Sequence, residues 1–270
     1  MPITICNFSN IYANQPYLEG LRLSGKATWL DLSEIGGTDC YCDDEAEIAI
    51  RKKISDAGIK NAQGIHFLDN GNYHYMSKIW TDMVQEPFSL VVFDHHPDMQ
   101  EPRFGNILSC GGWVKKVLEE NKFIDNVVII GVADHLAEEI KSKIASQPAD
   151  ARIDNVYFIR ESEIVTLEGR SPDRVHSTFH IPHSSHLYIS IDKDALSPAY
   201  AATNWDQGSL DVATLKKIIA DIAASNRIIG VDICGERARD FAGDEHHSVQ
   251  EADSLNDRIN RELAEFLQDL

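Results

Sequence analysis

Short apolar runs rich in β-branched residues recur along the whole chain. They are Ile3–Cys6, Thr28–Leu32, Ile65–Leu68, Leu90–Phe93, Val127–Val132, Val156–Ile159, Leu187–Ile191 and Ile228–Ile233, which makes eight candidate strands. Several are apolar at consecutive positions, as in Val127-Val128-Ile129-Ile130. A strand apolar on both faces is buried on both, which predicts a parallel sheet covered by helices. The segments between the runs carry the helical period. Asp44–Ala57 places Ala46, Ile48, Ala49, Ile50 and Ile54 behind an acidic start suited to a helix N-terminus. Val114, Val117 and Leu118 follow a Gly-Gly pair. Leu210–Ala224 is periodic through Leu215, Ile218, Ile219 and Ile222, and the tail from Ser248 to Leu270 through Leu255, Ile259, Leu263, Phe266 and Leu270. Strand and helix alternate with no low-complexity linker and no repeat. The expectation is one three-layer, doubly wound α/β domain over residues 1–270, with an eight-stranded, mostly parallel sheet. Arg160–His186, with Gly169, Pro172 and Pro182, reads as loop near the sheet's carboxyl edge.

In an open α/β sheet, ligands bind beyond the carboxyl ends of the strands. Three of the runs end in metal-capable side chains. Leu90–Phe93 leads into Asp94-His95-His96-Pro97-Asp98, Leu187–Ile191 into Asp192-Lys193-Asp194, and Ile65–Leu68 into Asp69-Asn70-Gly71-Asn72-Tyr73-His74. Residues i, i+2 and i+4 of an extended segment share one face. Asp94, His96 and Asp98 therefore project together, as do Asp192 and Asp194, and His74 makes a sixth candidate ligand. Four clustered carboxylates repel and raise each other's pKa, which divalent cations relieve. Mixed carboxylate and imidazole donors suit Mn²⁺, Fe²⁺ or Zn²⁺. Six ligands exceed a tetrahedral zinc site. They suffice for two ions sharing bridging carboxylates roughly 3.5–4 Å apart. Asp69 and Asp232, taken singly, read as turn formers or caps, and His246-His247 reads as solvated surface.

Charge and cysteine usage narrow the partners. The chain of 270 residues is 43% hydrophobic and 25% charged, ordinary for a globular protein. Its 25 Lys+Arg against 43 Asp+Glu give a net charge of −18, which repels phosphates and argues against nucleic acid and anionic membranes. Nothing approaches the ~20 apolar residues of a membrane span, and Ile3–Cys6 follows the first residues without a basic, apolar leader. Five scattered cysteines, Cys6, Cys40, Cys42, Cys110 and Cys234, fit reduced thiols in the cytoplasm. Cys40-x-Cys42 lacks a second pair for zinc and reads as structural.

These motifs resemble those of the arginase/agmatinase/formiminoglutamase (ureohydrolase) family, which is related in fold to the histone deacetylases. Its Asp-x-His-x-Asp motif corresponds to Asp94–Asp98, and its Ser-x-Asp-x-Asp motif followed by Pro to Ser190-Ile191-Asp192-Lys193-Asp194 and Pro198. A Gly and an apolar residue then open a helix, here Gly208-Ser209-Leu210. The first motif, usually Gly-Gly-Asp/Asn-His-Ser, stands altered as Gly71-Asn72-Tyr73-His74-Tyr75. The chain is thereby identified as a divergent member. The resemblance implies an eight-stranded parallel sheet and two Mn²⁺ per chain. His74, Asp94, Asp98 and Asp192 would surround one ion and Asp94, His96, Asp192 and Asp194 the other, with Asp94 and Asp192 bridging. It further implies hydrolysis of C–N bonds, other than peptide bonds, in linear guanidino, amidino or formimino compounds. A hydroxide bridging the ions would attack the trigonal carbon, Asp98 would take a proton, and acidic residues would favour a small cationic substrate. A homo-oligomer is admitted, since family members often form trimers or hexamers.

The chain departs from the family pattern in three places. The segment Gly105-Asn106-Ile107-Leu108-Ser109-Cys110-Gly111-Gly112 lacks the arginase shuttle His of a Gly-Asn-x-His-Gly context. The substrate-binding Glu of an Asp-x-x-Glu context stands one place late, as Glu236 after Asp232-Ile233-Cys234-Gly235. A one-residue shift turns a side chain to the other face, and a bulge at Gly235 restores its aim, which leaves Glu236 a candidate. The usual Asn/Ser-Pro is missing downstream, and Arg103, Arg237 and Arg239 are candidates to pair with a substrate carboxylate. Two alternatives stand beside the binuclear hydrolase. One is a deacetylase-like zinc amide hydrolase on the same fold, and the other a catalytically degenerate, metal-binding family member.

Overall fold

Alternate residues of each central strand enter opposite layers of core. In this computed structural model, which describes residues 1–102, 104–146, 155–165 and 185–270, Leu90 and Val92 join one buried cluster with Val127, Ile129 and Tyr188. Val91 and Phe93 join a second with Val128, Ile130, Leu187, Ile189 and Ile191. The strands are β1 (Ile3–Asn7), β2 (Ala27–Asp31), β3 (Tyr41–Cys42), β4 (Ile65–Phe67), β5 (Phe88–Phe93), β6 (Leu108–Ser109), β7 (Ile124–Val132), β8 (Val156–Arg160), β9 (His186–Asp192) and β10 (Arg227–Cys234). Eight form one sheet in the order β2-β1-β4-β10-β9-β5-β7-β8, and every neighbouring pair is parallel. The sheet is therefore wholly, not mostly, parallel, and each of the eight apolar runs supplies one strand. β3 and β6 form a separate antiparallel ribbon. Two-residue strands carry no period, and the hydrophobic pattern does not predict them.

Helices cover both faces. Asp44–Asp56, Met76–Thr81, Trp113–Glu120 and Asp134–Ala145 pack on the first cluster, and Pro16–Leu23, Val212–Ala223 and Val249–Gln268 on the second. Three of these seven starts are set by side chains that accept from otherwise unpaired N–H groups. Asp43 accepts from Ala46 N at 2.8 Å, and Asp211 accepts from Thr214 N at 2.9 Å. Ser248 and Glu251 form a capping box. The helix expected from Leu210 thus begins only at Val212. Ile48, expected on the apolar face of its helix, is 69% exposed, while Ala46, Ile50 and Ile54, spaced by four, are buried. Most of the Arg160–His186 loop reading lies outside the described residues. No described helix is long and apolar enough to cross a membrane.

The chain winds outward through β1 and β2, returns to β4, crosses to β5 and winds the other way through β7 and β8. β9 and β10 then fill the gap. The switch in winding direction lies among β4, β10, β9 and β5, where an open α/β sheet binds its ligand.

Packing at the centre leaves little room. A Cβ at Gly230 would overlap the Ala62 carbonyl oxygen and the Tyr188 ring, whereas one at Gly20 meets nothing within 4 Å. Gly230→Ala is therefore expected to lower unfolding free energy by about 1–3 kcal/mol. Gly20→Ala, within a helix, is expected to raise it by about 0.4–1 kcal/mol. Urea denaturation midpoints at equal slope check both.

Candidate metal centre

Register places the first two ligands side by side. Phe93 pairs with Ile191 across β5 and β9, so the next residues, Asp94 and Asp192, leave the sheet at the same level. Beyond them the chain turns rather than staying extended: His96 N donates to Asp94 Oδ1 at 2.6 Å and Asp194 N to Asp192 Oδ1 at 3.0 Å, and these turns bring His96 and Asp194 together. His74 arrives from the turn after β4. Asn70 accepts from Asn72 N at 3.0 Å, and Gly71 N donates to Asn204 Oδ1 at 2.8 Å. Asp98 has a left-handed φ of 47°, which Asp tolerates better than most residues, and its Oδ2 accepts from Trp113 Nε1 at 2.7 Å.

Six side chains converge as two imidazoles among four carboxylates. His74 Nδ1 lies 3.2 Å from Asp94 Oδ2, 3.0 Å from Asp98 Oδ2 and 3.3 Å from Asp192 Oδ2. His96 Nδ1 lies 2.9 Å from Asp194 Oδ2 and 3.5 Å from Asp94 Oδ1. His74, Asp94 and Asp192 form one group able to hold a metal ion, and Asp94, His96 and Asp194 form a second. Asp94 belongs to both and turns a different oxygen to each imidazole. The far ring nitrogens are held as metal-ligating histidines usually are. His74 Nε2 is 2.9 Å from Ser190 Oγ, which is itself 3.0 Å from Ser77 Oγ, and His96 Nε2 is 3.1 Å from Asp206 Oδ1.

This donor set fits divalent cations. Burial, then the charges of Asp194 and of Asp94, pushes Asp192 up to about 8. Burial and the charge of Asp94 push Asp194 up to about 6. Burial disfavours charge on the imidazoles too, yet hydrogen bonds to Asp94 and Asp98 hold His74 well above the usual range. Those to Asp194 and Asp94 do the same for His96. Protons shared among these groups occupy the place that cations fill in a metal-binding protein.

The ligands line one side of a cavity of about 320 Å³, whose other walls include Cys40, Tyr41, Gln100, Glu101, Cys110 and Trp205. Loops far apart in sequence bring these walls together, and no local pattern marks them. Among the described lining residues none is Lys or Arg.

Glu236 is not brought to this cavity. Its carboxylate is 1% exposed, ion-paired with Lys193 Nζ, and accepts from Gln15 Nε2 at 2.6 Å and Asn260 Nδ2 at 2.7 Å. The position matching the family's Asp-x-x-Glu spacing is Gly235, with φ 89°, where a Cβ would overlap Asp192 Oδ1. The positive φ at Gly235 thus turns Glu236 behind the metal loop instead of restoring its aim. Arg237 is engaged by Asp253 at 2.7 and 2.9 Å. Arg239 does not line the cavity, and Arg103 lies outside the described residues. Leu108, at the place of the shuttle His, is buried in β6. His95 points away from both groups of ligands, its Nε2 3.9 Å from Asp206. Asp69, read from the sequence as a turn former or cap, instead ties the loop after β4 to the loop after β1, accepting from Phe8 N, Ser9 N and Ser9 Oγ as well as from Asn70 N. Asp232 is fixed by His66 and Tyr188 in the core.

The profile of the arginase family matches residues 64–236, more than half of the chain. An uncharacterized protein of Thermotoga maritima is 29% identical over 175 residues, 64% of this chain and 58% of that protein. The chain therefore matches less than two thirds of that relative's length. Three solved structures share the fold. Proclavaminate amidino hydrolase from Streptomyces clavuligerus has a TM-score of 0.66 and 15% identity, covering 98% of this chain and 91% of that one. Arginase from Bacillus caldovelox has 0.62 and 15%, covering 97% and 98%. Formimidoylglutamase from Bacillus subtilis has 0.58 and 14%, covering 99% and 86%.

Two outcomes follow from this electrostatic arrangement. With folded values raised at Asp192, His74 and His96, the metal-free protein binds more protons than the unfolded chain and loses stability as pH rises through those values. Mn²⁺ loading at pH 7 should therefore release protons and tighten as pH rises. Calorimetry in buffers of different ionisation enthalpy measures the release, and Mn²⁺ should raise Tm more at about pH 8 than at about pH 6. Glu236→Ala should cost about 3–5 kcal/mol by stranding buried Lys193, and Lys193→Met with Glu236→Leu should recover most of it. Mn²⁺ stoichiometry should be unchanged in both variants, and urea unfolding with metal analysis checks each.

Proposed function

The chain belongs to the arginase family, and from that membership and the paired ligand groups we propose that it is a binuclear, Mn²⁺-dependent hydrolase of C–N bonds in linear guanidino, amidino or formimino compounds. The observation that carries this reading is Asp94, whose two oxygens face two separate imidazoles at 3.2 and 3.5 Å. That is the posture of a carboxylate that bridges. His74, Asp94, Asp98 and Asp192 would hold one ion, and Asp94, His96, Asp192 and Asp194 the other. Two bound Mn²⁺ would supply a water acidified toward neutral pH and charge to stabilise a developing oxyanion.

The chain's own residues do the rest. Ser190 and Asp206 fix the ring planes of His74 and His96. Trp113 and His74 occupy Oδ2 of Asp98, which leaves Oδ1 to receive a proton from the attacking water. The Trp205 indole, edge-on to His96 at 6.0 Å, and Tyr41 give the cavity aromatic walls against which a cationic head is attracted. With the four ligating carboxylates neutralised by two Mn²⁺, the aromatic walls and a lining in which no described residue is Lys or Arg favour a small cation without a free carboxylate over an amino-acid substrate. Agmatine-like amidines fit this better than guanidino acids or N-formimino-glutamate. The net charge of −18 disfavours nucleic acid and anionic membrane surfaces as partners.

A second reading is favoured by the absence of a carboxylate at Gly235 and of an imidazole at Leu108. It is a family member that holds metal without turnover. One assay separates the readings. Mn²⁺-reconstituted protein is offered guanidino, formimino and acyl-amine compounds, with urea, formamide and free amine detected separately. Turnover of a cationic amidine with two Mn²⁺ per chain is expected. Two ions without any turnover would favour the second reading, and one tightly bound zinc in active protein would favour a deacetylase-like hydrolase. Asp192→Ala should lose both ions and all activity, His74→Ala one ion, and His95→Ala should be milder than either. Equal, full occupancy in the first two would refute the ligand assignment.

A further inference from the structure

Two of the cysteines stand apart from the other three. Cys6, Cys42 and Cys234 are buried within the hydrophobic cluster. Cys40 and Cys110 are only partly buried, and both line the cavity beside the ligands. Neither has a part in the proposed hydrolysis.

The ribbon sets them face to face. Tyr41 pairs with Ser109 and Cys42 with Leu108 in antiparallel register, so the next residues outward, Cys40 and Cys110, oppose each other. Cys110 N donates to the Cys40 carbonyl at 2.9 Å. Opposed antiparallel residues of the hydrogen-bonded kind bring their Cα atoms to about 5.5 Å, the commonest separation across a disulfide. Cys40 has a φ of 60°, which ends the ribbon there, and the bond from Cys110 N to its carbonyl keeps the two residues side by side. A hydrogen bond from the Cys110 thiol holds the Cys40 thiol below its ordinary range, while the same bond and burial hold the Cys110 thiol above its own, which makes Cys40 the attacking thiol of the pair.

We propose that Cys40 and Cys110 form a redox-active dithiol at the mouth of the metal cavity, oxidised by low-molecular-weight disulfides to an intramolecular disulfide. The Cys40 thiolate attacks one sulfur of the small disulfide, forming a mixed disulfide and releasing one small thiol. The Cys110 thiol then attacks the Cys40 sulfur, giving up its proton to the departing thiolate, and expels the second small thiol. Two protein thiols are oxidised, one small disulfide is reduced to two thiols, and both protein protons pass to the departing thiolates. The product ties the loop that carries Tyr41 to the loop that carries Gln100 and Gly111, two walls of the same cavity. The proposal is independent of the substrate and of turnover.

The test uses the reduced full chain, folded, with oxidised glutathione. Intact mass should fall by about 2 Da, two of the thiols should disappear, and dithiothreitol should restore both. Cys42→Ser should behave as the wild type, which separates Cys40 from its neighbour. Cys110→Ser should stop at a persistent glutathione adduct on Cys40. Retention of all thiols, a linkage that Cys42→Ser abolishes, or a loss of mass that survives in Cys110→Ser would each overturn the proposal.

Discussion

Everything at the carboxyl edge of the sheet answers to the cost of packing four carboxylates together. At an effective dielectric of about 20, two unit charges about 4 Å apart repel by roughly 4 kcal/mol, more than a typical hydrogen bond returns. Two imidazoles interleave with the carboxylates, and each contact of His74 and His96 sets a positive or protonated nitrogen against oxygen. Protons or divalent cations are the two ways of satisfying the arrangement, which makes charge balance and chemistry a single property of the site.

The same edge is anchored from behind. Asp192 and Asp194 turn to the cavity, and Lys193 between them turns the opposite way into a buried knot with Glu236, Gln15 and Asn260. The 3-10 turn over Lys193–Ala195 thus puts candidate ligands in front and a tether at the back. The knot joins the metal loop to the residue preceding the first helix and to the last helix of the chain.

The strands and most of the candidate ligands were legible because both rest on spacing within one segment, whereas His74 stood out only as an imidazole after a strand end. Consecutive apolar residues betray a strand buried on two faces, and Asp94, His96 and Asp98 follow from a spacing of two. Long capped helices showed for the same reason. The orientation of Glu236 did not, because it is fixed by φ at Gly235 and by Lys193, which in the sequence is only the unnamed middle of Asp-x-Asp. Ile48 misled because its helix has more apolar positions than its buried face uses. The walls of the cavity were invisible because Tyr41, Gln100, Cys110 and Trp205 come from separate loops. The opposition of Cys40 and Cys110 depends on a ribbon too short to have a pattern.

The place of β10 between β4 and β9 bears on how the molecule is assembled. Without that strand the sheet is two pieces, β2-β1-β4 and β9-β5-β7-β8. His74 follows the first piece, and the four carboxylates and His96 follow the second. The strand that seams them is the last in the chain, and its pairing with β4 joins Val231 to Ile65 across 166 positions. Contacts so distant in sequence are slow to form. Synthesis from the N-terminus therefore delivers every candidate ligand before the strand that aligns them, and the pocket is complete only once β10 has paired with both pieces.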